Sequence, residues 1–146
     1  MKKFVFTLQA VYDIALSNEK QQKNLLRRIE ERILALRTAL ERMLEQKTEA
    51  YAQCAKDVDV GTDATRLSQY ARYLESLSDK IEVQKKSITQ LENERDKVVE
   101  ALVEIRKEIK SLENLREKQL EEYRIEVKRE EEQAIGDVVT YQVVKK

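Results

Sequence analysis

The sequence predicts an all-α chain: a long antiparallel two-helix coiled-coil hairpin whose second helix outruns the first. Three observations carry this. Apolar residues recur in alternating steps of three and four, the spacing of a heptad seam. Charged residues are 38% of the chain and aromatics 5%, which is too polar for a compact core and typical of long helices. In 146 residues there is no proline and there are two glycines, one of which, Gly61, stands near mid-chain with helical pattern on both sides.

Helix one is expected over about residues 5–58. Its seam reads Leu8, Val11, Ala15, Asn18, Gln22, Leu25 and Ile29, then Ile33, Leu36, Leu40, Met43, Lys47, Ala50 and Cys54. The steps into Ile29 and Ile33 are both four, a stutter that locally unwinds a supercoil. The bend is expected at about 59–62. Gly61 is suited to the left-handed conformation that ends a helix. Thr62 or Asp63 then caps the next helix by accepting from its free amides.

Helix two is expected over about 63–136, followed by an apolar tail at 137–146. Its seam runs through Leu67, Tyr70, Leu74, Leu77, Ile81, Gln84, Ile88, Leu91, Arg95, Val98, Leu102, Ile105, Ile109 and Leu112. It passes Arg116, stutters to Leu120, and continues to Tyr123 and Val127. At about 1.5 Å per residue the two helices would be rods of roughly 80 and 110 Å. A bend near Gly61 sets residue i opposite about 121 minus i, so helix one would begin opposite Leu112–Leu115. Residues from about Arg116 onward would then lack an intrachain partner. On that overhang the pairs Lys118–Glu122, Glu121–Arg124, Glu126–Arg129 and Lys128–Glu132 have helical spacing, each contributing about 0.2–0.5 kcal/mol.

Polar residues at seam positions (Asn18, Gln22, Lys47, Gln84 and Arg95) either fix register at a cost in stability or mark a loosely packed rod. The 28 basic and 28 acidic residues cancel and interleave, so there is no basic footprint for nucleic acid. No run of about 18 apolar residues exists to span a membrane. The opening "MKKFVFTLQAVYD" reaches Gln9 and Asp13 too soon for a signal peptide, which points to the cytoplasm. The single Cys54 forms no intramolecular disulfide and reads as a small core residue.

Site chemistry is not expected. The chain has no histidine, no glycine-rich phosphate loop, no cysteine pair with metal spacing and no nucleophile elbow. A two-helix rod offers no concave pocket. The reading is therefore a protein without catalytic activity, cofactor or metal, acting through surfaces. Two surfaces stand out. At the terminal end, Phe4, Phe6 and Leu8 of helix one and the uncovered stripe Leu120, Tyr123 and Val127 of the overhang gather apolar residues without an obvious core: the phenylalanines are either a docking end or a hydrophobic cap on the coiled coil, and the stripe either meets something outside the chain or is a frayed end. Near the bend, Tyr51, Tyr70 and Tyr73 lie within a few turns of one another, with Leu77 close by. Tyrosine gives contact area at low entropic cost, and Tyr73 is off the seam, which suits a binding surface.

Short motifs add a resemblance. The opening "KKFVFTLQAVYDI" resembles the start of the FliJ family of flagellar export proteins, with an F-x-F-x-L core at Phe4, Phe6 and Leu8. "RLSQYARYLESLSDKI" is similar to the family's Y-x-x-[FY]-L/I-x-x-L pattern at Tyr70, Tyr73, Leu74 and Leu77. "EEEQAIGDVV" resembles its E-Q-x-x-x-D-E ending at Glu132, Gln133 and Asp137, with Val138 in place of the acidic residue. The resemblance implies a cytoplasmic part of the flagellar type III export apparatus, serving flagellar biogenesis and hence motility and chemotaxis. Its fold would be similar to the coiled-coil part of a rotary ATPase gamma subunit. It would sit in the hexameric export ATPase (FliI-like), promoting ring assembly and activity, and would engage the membrane export gate (FlhA-like) and export chaperones. By motif position, the terminal end would enter the ATPase ring and the bend patch would meet the gate. That places the chain peripherally at the cytoplasmic face of the inner membrane. A stalk of another secretion or rotary machine, a homodimeric scaffold and a holdase chaperone share the same rod and stay open at this point.

Overall fold

A computed structural model describes residues 2–145. They form two α-helices, α1 (Gln9–Val60) and α2 (Ala64–Lys145), with no strand among the described residues. The helices pack against each other as a helical hairpin. Two compact units are distinguishable: residues up to Gln21 with those from Leu102 onward, and Gln22–Ala101.

The turn is built as the sequence suggests, one to two residues later. Gly61 has a φ of 100° and its N–H donates to the carbonyls of Asp57 and Val58 at 3.0 and 3.2 Å, which ends α1. No neighbouring atom would meet a Cβ at Gly61, so the backbone angle alone reserves the position for glycine. Asp63, rather than Thr62, is the cap: its Oδ1 accepts from the Arg66 N–H at 2.8 Å. Such a cap contributes about 1 kcal/mol.

In the Gln22–Ala101 unit the buried residues of α1 are Ile29, Ile33 and Ala50, and those of α2 are Leu77, Ile81, Ile88 and Val98. Arg37 meets Glu92 at 2.8 Å across the two helices. Gln84, a polar seam residue, donates from Nε2 to the Leu36 carbonyl at 2.9 Å, so its burial leaves no amide unsatisfied. Near the turn, Leu67 is 40% exposed despite its seam position, because it lies on the first turn of α2.

In the other unit, Phe6, Ala15, Ile109 and Leu112 form the core, with Phe4, Leu8, Tyr12, Ile105 and Leu115 packed on it. The expected Val11 and Asn18 are exposed here, and Tyr12 and Glu19 take their places. Tyr12 wins over Val11 because its ring covers apolar surface while its hydroxyl stays at the edge and donates to Glu113 at 3.1 Å. Glu19 likewise meets Arg106 at 3.6 Å. The inward-facing residues of α1 then read Leu8, Tyr12, Ala15, Glu19, Gln22, Leu26, Ile29 and Ile33, strict four-three alternation. The expected Leu25 is half-buried, as is Leu26, so the packed face of α1 is two residues wide just before Ile29. Asn18, being exposed, fixes no register.

Two expected boundaries change. Residues 2–6 are not helical, and α1 begins at Gln9 instead of near residue 5. The period-two pattern of Phe4, Val5 and Phe6 explains this: Phe6 is buried and Phe4 half-buried, while Val5 is 75% exposed. Helix α2 runs through Gly136 to Lys145, so the tail expected after 136 is helical. Gly136 has no positive φ; a mid-helix glycine costs about 1 kcal/mol relative to alanine and does not by itself stop a helix.

In the unit that holds the start of α1, the helices face each other antiparallel with a later register than expected. Tyr12 meets Glu113 and Glu19 meets Arg106, each four positions beyond the expected partner. The linker is Gly61–Asp63, so the turn centres near Thr62 and not before Gly61.

Candidate functional site

At the terminal end, that register decides what is covered. The segment from Lys2 to Leu8 runs back along α2 (Ala64–Lys145). The Tyr123 hydroxyl donates to the Lys2 carbonyl at 2.6 Å. The rings of Phe4 and Tyr123 lie 5.6 Å apart, tilted at 54°, and the Arg116 guanidinium stands 5.8 Å from the Phe4 centroid. The Thr7 hydroxyl and Gln119 amide meet at 3.3 Å. A tilted ring pair adds about 0.5–1.5 kcal/mol beyond its buried area. The expectation that α2 lacks a partner from Arg116 is thus corrected: Gln119, Leu120, Tyr123 and Val127 are all half-buried. Phe6 is 4% exposed and belongs to the core, so among the phenylalanines only Phe4 presents surface. From residue 128 to Lys145 every residue is exposed. Of the expected surface pairs on this stretch, Arg124 and Glu121 lie 3.8 Å apart.

The bend patch sits in the Gln22–Ala101 unit. Tyr51 and Tyr73 are about half exposed, Tyr70 is half-buried, and Leu77 is 6% exposed. Leu77 thus supports the surface from beneath. Tyr70 donates a short hydrogen bond to the Asp57 carboxylate. Arg66 Nε lies 3.2 Å from the same carboxylate, and Gln53 Nε2 donates to it at 3.1 Å. These contacts fasten the end of α1 to the start of α2. Arg66, Gln69, Tyr70 and Tyr73 line a shallow open groove beside them.

The sequence profile described as flagellar FliJ protein matches residues 4–146. The chain belongs to the FliJ family. It is thereby a helical protein of flagellar export. No curated protein and no solved structure matches it. On this FliJ chain the three motifs fall in different settings. Phe4, Phe6 and Leu8 pack on the terminal core; Leu74 and Leu77 lie on the inward side of α2 with Tyr73 outward; Glu132, Gln133 and Asp137 are exposed. Among the described residues no group of three His, Cys, Asp or Glu side chains is placed to hold a metal, and no helix is long and apolar enough to cross a membrane.

Sequence reasoning missed Asp57, Gln119 and the Lys2 carbonyl. Asp57 was findable, because it continues the four-three alternation three residues past Cys54. The Lys2 contact was not, because it needs the non-helical start.

The Tyr70 hydrogen bond, helped by Gln53 and Arg66 and opposed by desolvation, holds the Asp57 carboxyl below its ordinary value. The same bond, together with desolvation, raises the Tyr70 hydroxyl above its own. A depressed carboxyl stabilises the fold above its unfolded pKa and loses that stabilisation as pH falls through the folded value; a raised hydroxyl does so below its unfolded pKa and loses it as pH rises through the folded value. We expect amide protection around the turn to be flat between about pH 5 and 9 and to fall in acid. Tyr70→Phe should move the Asp57 titration, followed by carboxyl NMR, back toward the ordinary range. An unmoved titration would show that the Tyr70 hydroxyl does not govern it.

Proposed function

We propose that this chain is a non-enzymatic central stalk of the flagellar export ATPase, with the exposed end of α2 as the part that engages the ATPase ring. One observation carries the reading: beyond Val127 a helix of 18 residues has no cover from its own chain. An isolated helix of that length is marginal in water, so a surrounding partner is the natural source of its order. The contact surface comprises Leu120, Tyr123 and Val127, the exposed part of Phe4, and the stretch beyond; Phe6 and Leu8 hold the end in shape. The bend patch, with Tyr51, Tyr70 and Tyr73 on the surface and Leu77 beneath, is the contact for the FlhA-like gate, and export chaperones bind the same apparatus. This puts the protein in the cytoplasm, peripheral to the inner membrane, inserted in no bilayer and bound to no nucleic acid.

Added to its hexameric FliI-like ATPase, the full chain should raise ATP turnover and hydrolyse no ATP alone. Unchanged turnover at saturating chain, with the ATPase verified active, would overturn the stalk reading. For the gate contact, Tyr73→Ala is the clean probe. Tyr73 is half exposed and off the inward face, so stability should change by no more than about 0.5 kcal/mol. Affinity for the cytoplasmic part of the gate should fall by about tenfold, the scale of a tyrosine anchor. Wild-type affinity in this variant would remove Tyr73 from the contact.

A further inference from the structure

The end of α2 carries a pattern that neither the helix nor the stalk reading uses. Residues 137–145 read D-V-V-T-Y-Q-V-V-K. Five of the nine are β-branched, the class least suited to a solitary helix and best suited to a strand. From Val139 to Val143 apolar and polar residues alternate, so an extended backbone would put Val139, Tyr141 and Val143 on one face and Thr140 and Gln142 on the other. In the helix all of these are exposed, Tyr141 at 64% and Val143 at 69%. Gly136 immediately precedes the segment and makes the helix easiest to break there.

The segment is also complementary to itself. Laid antiparallel against a second copy with Tyr141 at the centre, Asp137 of each chain faces Lys145 of the other. Val138 faces Val144, Val139 faces Val143, Thr140 faces Gln142, and Tyr141 faces Tyr141. Opposite charges therefore meet at both ends of the ribbon, apolar residues meet apolar ones, and the two polar residues meet each other. A parallel register sets Asp137 against Asp137, and a shift by one residue, which faces Asp137 with Lys146, sets Val138 against Lys145, Thr140 against Val143 and Tyr141 against Gln142.

We propose that residues 137–145 form an antiparallel β-ribbon with the same segment of a second copy, leaving the helix to do so. The occupant is the chain itself because no strand among the described residues offers an internal edge, and because the charges match in this register. The segment also has the marks of a sequence prone to intermolecular β-pairing: high β-propensity, low net charge and no proline. This inference does not rest on the stalk reading. A two-stranded ribbon is marginal alone, so the association is weak and shows at high concentration.

The test uses the full chain in a Cys54→Ser background. Tyr141→Cys should cross-link to a dimer rapidly under mild oxidation, because directly opposed strand positions lie within disulfide reach. Single Val139→Cys or Thr140→Cys chains should cross-link slowly. Mixing Val139→Cys with Val143→Cys chains, and Thr140→Cys with Gln142→Cys chains, should each restore rapid cross-linking. An antiparallel helix pair would join only one of those mixtures, since the two fall on different helix faces, and that outcome overturns the ribbon. By sedimentation, D137K and K145D should each weaken dimerisation by about threefold to thirtyfold, from two like-charge pairs, and the double variant D137K/K145D should recover it. Failure of the double variant to recover, or no concentration-dependent dimer of the parent chain at all, would overturn the proposal.

Discussion

Deleting residues 129–146 should leave the hairpin folded and abolish stimulation of the export ATPase. The first half follows from burial. From residue 128 onward all described residues are exposed, so the deletion removes no core contact. Tyr123, which holds the Lys2 carbonyl, and Leu120 stay in place. A cut at residue 118 would be less informative. It would also strip Gln119 from Thr7 and Tyr123 from Phe4, releasing the non-helical start and confusing lost docking with lost structure. The second half follows from the proposed role of the uncovered helix. Turnover should return to the rate of the ATPase alone, while the denaturation midpoint of the shortened chain stays near that of the parent. Hydrogen exchange gives a parallel readout: amides of this stretch should exchange fast in the free chain, as expected of an unsupported helix, and slowly in the complex. Full stimulation by the shortened chain would refute docking through the uncovered helix beyond Val127.

Replacing Ile81 with alanine should destabilise the fold by about 2–3 kcal/mol. Ile81 is 3% exposed and lies on the inward face of α2. Truncating a buried isoleucine costs about 2–5 kcal/mol, from lost transfer energy plus the cavity left behind. The low end applies here because two helices make a core a single layer deep. Solvent reaches both flanks of the seam, and the space left can partly fill. Even so the loss is a large share of the 5–15 kcal/mol typical of a folded domain. Val83→Ala is the matched control. Val83 stands two residues away and is 64% exposed, so its truncation should cost under about 0.5 kcal/mol. Equal losses at the two positions, measured by chemical denaturation, would show that the seam is not the packing face.

The charges contribute less. Arg37–Glu92 and Arg106–Glu19 are geometrically sound, yet the arginine side chains are 53% and 58% exposed. Exposed pairs contribute about 0–1 kcal/mol.

What the sequence determined by itself was everything set by local periodicity and by single special residues. Three-four spacing of Leu, Ile and Val dictates two amphipathic helices, and Gly61 with Asp63 dictates where one stops and the next starts. These follow from the 3.6-residue period and from backbone sterics, which need no distant partner. The family resemblance was legible for the same reason, because its motifs are short and contiguous. Tertiary structure alone decided the phase and the register. Val11 and Tyr12 both fit a helical seam, and only the Glu113 partner on α2 selects Tyr12. The reach of α2 without a partner depended on whether Lys2–Phe6 is helical. That was settled by Phe6 entering the core beside Ala15, Ile109 and Leu112, contacts more than 100 residues distant in sequence for the last two. Local patterns fix what each helix is; which of two equivalent residues points inward is fixed by what stands opposite.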